Sequence, residues 1–243
     1  MPERDHDHSA EGIAARIGSV NHNYLRDWIY GGIDGSVTTF AVVAGVVGAN
    51  LPIPIILILG FANLIADGFS MAASNYLGTR AEQDDYKRLE AMEYRHIEKY
   101  PEGEKEEIRH IYREKGFEGE DLERAVELIT SDKERWVKTM LTEEYGLPSE
   151  IRSAWKAAAS TFLSFFICGM IPLLPYLSLS GSENSFIYAS AFTGVTFFLI
   201  GSFKSFWSTV SWFRSGIETL IVGGLAATLA YGVGVLLRGL GLE

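Results

Sequence analysis

The sequence predicts an all-α membrane protein with five transmembrane helices and a three-helix acidic domain inserted between spans 2 and 3. Long apolar runs with at most one charge recur five times along the 243 residues. A hydrocarbon core about 30 Å thick needs roughly 20 mostly apolar helical residues to cross it. Soluble core helices rarely stay uncharged that long. The charge is also segregated: residues 81–152 hold 21 Asp/Glu and 13 Lys/Arg, a balance of −8 out of a total of −10.

The elements follow in chain order. Residues 1–26 form a polar N-terminal tail carrying both signs of charge, without the apolar core of a signal peptide, so insertion is expected to use span 1 itself. His6 and His8 alternate there with Asp5 and Asp7, as expected of a disordered polar segment. Residues 27–80 hold span 1, Trp28 to Leu51, interrupted by Asp34, and span 2, Pro52 to Thr79, interrupted by Asp67. The acidic domain occupies 81–152. Residues 153–243 hold span 3, Ala157 to Leu179, span 4, Ser185 to Phe203, and span 5, Gly216 to Leu237, with Glu218 near its start.

Basic residues in short loops set the orientation. Arg16 and Arg26 precede span 1; Arg80, Lys87 and Arg88 follow span 2; Arg152 and Lys156 precede span 3; Lys204 and Arg214 separate spans 4 and 5. The opposite loops, Asn50 to Ile53 and Ser180 to Asn184, have no Lys or Arg. The N-terminus and the acidic domain are therefore expected in the cytoplasm and the C-terminus outside, with Arg238 as the exception.

Within the acidic domain, one helix continues span 2 from Ala81 to Lys99 and stops at Pro101. A second is expected over Glu102 to Lys115, closed by Gly116, and a third over Gly119 to Tyr145, closed by Gly146 and Pro148. Acidity of this strength argues against nucleic acid, whose phosphates need Lys and Arg. Cations are the expected partners. Cys168 is the single cysteine, so neither an intrachain disulfide nor a multi-thiolate site can form.

Residues three or four apart share a helix face. Glu90 with Glu93, Glu104 with Glu107, and Met140 with Glu143 or Glu144 are thus candidate donor groups, and carboxylates suit cations such as Mn²⁺ and Fe²⁺. On this reading the acidic domain is metal-binding. Two Glu-x-x-His pairs, Glu93 with His96 and Glu107 with His110, match the ligand unit of ferritin-like di-iron bundles. They leave open a membrane-anchored ferritin-like di-iron oxidase or iron store.

A carboxylate at bilayer depth costs several kcal/mol and usually faces a bundle interior or a water-filled path. Asp34 and Asp67 are therefore the most informative positions in the spans. Asn63 and Met71 lie one helical turn on either side of Asp67, placing an amide, a carboxylate and a thioether on one stripe.

Several distinct motifs follow one another along the chain. They are Gly32-Ile33-Asp34-Gly35-Ser36-Val37-Thr38-Thr39-Phe40, Ala66-Asp67-Gly68-Phe69-Ser70-Met71-Ala72, Ile111-Tyr112-Arg113-Glu114-Lys115-Gly116-Phe117, Glu144-Tyr145-Gly146-Leu147, and the stretch from Lys204 to Trp212. From about Leu25 onward the chain resembles the vacuolar iron transporter family. The resemblance implies a secondary transporter rather than an enzyme, working as a homodimer that exports Fe²⁺, and possibly Mn²⁺, from the cytosol by proton antiport. It implies no permanently bound cofactor, the metal being cargo. Asp34 and Asp67 would line the path near Met71 and Asn63, at an interface between protomers. Glu90, Glu93, Glu104, Glu107, Glu144 and Met140 would gather metal in the cytoplasm. The membrane would be the cell membrane in a prokaryote and the vacuolar membrane in a eukaryote.

Overall fold

The computed structural model describes residues 24–148, 151–178 and 184–240, with Ser9 and Glu11. The tail histidines His6 and His8 lie outside the described residues. The described chain is helical without strands: α1 (Leu25–Gly48), α2 (Ile53–Lys99), α3 (Pro101–Glu114), α4 (Gly119–Thr130), α5 (Lys133–Glu143), α6 (Ala154–Met170), α7 (Leu174–Ser178), α8 (Ser185–Lys204) and α9 (Trp212–Gly239). Five stretches are long and apolar enough to cross a membrane: α1, α2, Ala154–Ser178, α8 and α9. Two compact units divide the chain, one over Gly78–Ser153 and the other joining His22–Leu77 to Ala154–Glu243.

The unit that joins His22–Leu77 to Ala154–Glu243 is built around α1, which packs on α6, α8 and α9. Phe40, Val43, Ile56, Leu64, Phe165 and Leu173 fill its core. Close approach of α1 and α6 depends on Gly35, where an added Cβ would stand 2.3 Å from the Phe165 carbonyl oxygen. Such small-residue contacts are how helices pack in lipid, where burial of apolar area gives no drive for association. The large apolar side chains that remain exposed on α2 and α9, Ile58, Phe69 and Leu229 among them, suit a lipid-facing surface. Span 3 is not one uninterrupted α-helix. Pro172 and Pro175 lack the N–H that the ladder needs, and the backbone tightens to a 3₁₀ turn over Ile171–Leu173 before α7.

In the Gly78–Ser153 unit, α2 continues without a break to Lys99, as the sequence led one to expect. Pro101 opens α3, whose first turn carries Glu102 and Glu104 near its N-terminal dipole. Gly116, at φ +91°, closes it: its N–H donates to the Arg113 carbonyl and the Phe117 N–H to the Tyr112 carbonyl, and the Phe117 ring packs edge-on against Tyr112. That is a Schellman ending with its hydrophobic contact. The single helix expected from Gly119 to Tyr145 is two helices. Thr130-Ser131-Asp132 offers side-chain oxygens that compete for backbone groups. Ser131 Oγ donates to the Leu128 carbonyl at 2.8 Å, and Asp132 accepts the Arg135 N–H at 2.7 Å to cap α5. The acidic unit therefore folds from the end of α2 and three short helices, around Ile108, Val126, Trp136, Val137 and Met140.

Candidate functional site

Two groups of side chains carry the chemistry, one in each unit. In the acidic unit, Glu93 on α2 is only 1% exposed and Glu104 on α3 only 5%. Each ties up one carboxylate oxygen. The Tyr145 hydroxyl, just past α5, donates to Glu93 Oε1 at 3.0 Å. His96 Nδ1 faces Glu104 Oε1 at 3.4 Å. The second oxygens, Glu93 Oε2 and Glu104 Oε2, are buried without a hydrogen-bond partner. A buried polar atom left unpaired is costly, and most such atoms have a reason for being so. Two of them on neighbouring carboxylates are oxygens able to accept a proton or a cation.

The electrostatics draw in two more acids. Burial first, then the charges of Glu107 and Glu93, push the Glu104 carboxyl up to about 7. Partial desolvation and the charges of Glu107 and Glu93 raise Glu144 as well. Glu107 and Glu144 also line an open cavity of about 500 Å³ with Gly103, Glu106, His110 and Ile111. Three helical segments, α2, α3 and the end of α5, thus bring Glu93, Glu104, Glu107 and Glu144 into one field.

The other sequence candidates are placed differently. Glu90 is half-buried and its charge acts on Tyr86. Glu143 pairs with Lys115. Met140 is fully buried in the apolar core. Among the described residues no three His, Cys, Asp or Glu side chains stand grouped as a formed metal site, and this holds for the two Glu-x-x-His pairs and for the four glutamates alike.

Among the spans, antiparallel α1 and α2 are tied by hydrogen bonds at two levels. Asn63 Nδ2 donates to Thr38 Oγ1 at 3.2 Å and Thr39 Oγ1 at 3.3 Å. Asn75 Nδ2 donates to Asp27 Oδ1 and Thr161 Oγ1, both at 2.8 Å. In that register Asp34 comes opposite Asp67 between the two ties; both are half-buried, and the Asp67 charge acts on Asp34. Met71 packs against the core one turn along, and Glu218 is exposed on α9.

Sequence reasoning missed Asp27, 4% exposed, because it adjoins Arg26 and reads as a polar flank. Its spacing of seven from Asp34, two turns along one helix face, was the available signal. Tyr145 was quoted in a motif without a role; its contact joins residues 52 apart, which no local pattern shows.

Five membrane-length helices, an aspartate pair between two of them, and an acidic helical unit define a polytopic α-helical membrane protein. Residues 25–235 match the VIT family, so the chain belongs to that family. It is 34% identical over 230 residues to the vacuolar iron transporter of Plasmodium berghei (strain Anka), covering 90% of this chain and 84% of the relative. Against vacuolar iron transporter 1 of Oryza sativa subsp. japonica it is 32% identical over 210 residues, covering 86% and 83%. Against the Arabidopsis thaliana protein of that name it is 29% identical over 208 residues, covering 85% and 83%.

Proposed function

We propose that the protein exports divalent metal, Fe²⁺ and also Mn²⁺, from the cytosol by proton antiport. The observation that carries the reading is the Asp34–Asp67 pair, two carboxylates opposite one another on membrane-spanning helices. Acids at that depth need a compensating partner, and a divalent cation and protons are alternative partners for the same oxygens. Metal therefore binds as protons leave, and protons return as it departs. Asn63 and Met71 add an amide oxygen and a thioether, a donor set suited to a borderline ion such as Fe²⁺. The acidic unit lies in the cytoplasm on this reading, where Glu93, Glu104, Glu107 and Glu144 collect the metal. The family supports the cargo, its relatives being named vacuolar iron transporters. The protein works as a homodimer in this scheme.

Reconstitution tests the coupling. Liposomes with an acidic lumen should take up Fe²⁺ while the luminal pH rises, and Mn²⁺ should compete. Asp67→Asn should bring both fluxes to the level of empty liposomes. Undiminished uptake by Asp67→Asn would remove the aspartate pair from the mechanism, and uptake with no pH change would remove the antiport.

A further inference from the structure

The acidic cluster has a directional feature in Tyr145. Its hydroxyl donates to Glu93 Oε1 at 3.0 Å, with Glu144 also beside it, and Glu93 Oε2 is left buried and unpartnered as the oxygen that remains to meet a ligand. A carboxylate so held coordinates through one oxygen. To bind bidentate it must first give up a hydrogen bond to a charged acceptor, among the stronger kinds. Cations differ in what they ask of a carboxylate. Ca²⁺ takes six to eight oxygens in loose geometry and often uses both oxygens of one group. Mn²⁺ and Fe²⁺ are bound more tightly by a given set of N and O donors and do not depend on that second oxygen.

We propose that Tyr145 is a specificity-determining positioning residue: by tying Glu93 Oε1 it makes Glu93 a one-oxygen ligand through Oε2, and so biases the acidic cluster toward Mn²⁺ and Fe²⁺ over Ca²⁺. The inference rests on the reading of this cluster as the metal-collecting site. Glu93 cannot swing away freely, being 1% exposed on an unbroken helix. Glu104 presents the same arrangement, one oxygen facing His96 and the other unpartnered, and its carboxyl interacts with that of Glu93.

The test is Tyr145→Phe in the full-length protein in detergent, in an Asp34→Asn, Asp67→Asn background so that titration reports the acidic cluster alone. Mn²⁺ and Ca²⁺ are titrated separately by calorimetry. Loss of one charge-assisted hydrogen bond should weaken Mn²⁺ about tenfold while Ca²⁺ binds unchanged or tighter, so the Mn²⁺/Ca²⁺ preference falls by about that factor. Equal weakening of both ions would show a general structural role and overturn the proposal. Unchanged affinities in Tyr145→Phe would also overturn it, and a loss of Mn²⁺ binding in Glu93→Gln would then leave the cluster reading standing. If Glu93→Gln and Glu104→Gln both bind Mn²⁺ normally, the collecting site lies elsewhere and the proposal falls with it.

Discussion

At the scale of single residues, Glu104 makes the acidic unit sensitive to pH in a direction that can be worked out. Its folded carboxyl titrates at about 7, whereas an unperturbed glutamate titrates near 4.3. Between those values the folded chain holds a proton that the unfolded chain has released, so stability falls as pH rises through the window. Below about 4.3 both states are protonated and the cost is absent; above about 7 it is complete. A cation in the cluster takes the proton's place and needs the carboxylates deprotonated. The protection factors of the α3 amides, corrected for the intrinsic pH dependence of exchange, should therefore fall from pH 5 to pH 8 without metal, and Mn²⁺ should raise them at pH 8 far more than at pH 5. Glu104→Gln, already neutral, should flatten that fall. Protection that rises toward pH 8 in the metal-free protein would contradict the assignment.

At the scale of elements, the Asn75 amide joins three helices, meeting Asp27 on α1 and Thr161 on α6 from its place on α2. Asn75→Ala removes two hydrogen bonds and takes a donor from a carboxylate that is 4% exposed. Removing a partner from a buried polar group costs about 1–3 kcal/mol, more when that group is charged. Thermal unfolding in detergent should show a lowered midpoint for Asn75→Ala, and an unchanged midpoint would mean that the tie is dispensable. The helices themselves were legible in the sequence, because uncharged runs of membrane length have few other uses. The break between α4 and α5 was less so: Ser131 and Asp132 carry the cap signal, but they sit inside a helical periodicity strong enough to hide it. The acidity of the unit was legible in composition, and which acids meet one another was not. Glu90 acts on Tyr86 one turn away on its own helix, which local spacing shows, whereas the pairing of Glu143 with Lys115 needs the packing of α5 against the end of α3.

At the scale of the whole molecule, the prediction still open is which way the spans run. Every loop rich in Lys and Arg falls on one side of a five-span topology, and the loops at Asn50 to Ile53 and Ser180 to Asn184 carry none. Basic residues near span ends resist translocation, so we propose that side as the cytoplasmic one. The chain supplies its own background for the measurement, since its single cysteine, Cys168, is buried in α6 and should be silent to a membrane-impermeant maleimide. Ser131→Cys places a thiol on the exposed junction of α4 and α5, and Leu51→Cys places one in the turn between α1 and α2. In intact cells carrying the protein at their surface membrane, Leu51→Cys should be labelled and Ser131→Cys should react only after the membrane is opened. Labelling of Ser131→Cys from outside would invert the topology, and an acidic unit on that side could not collect metal for export.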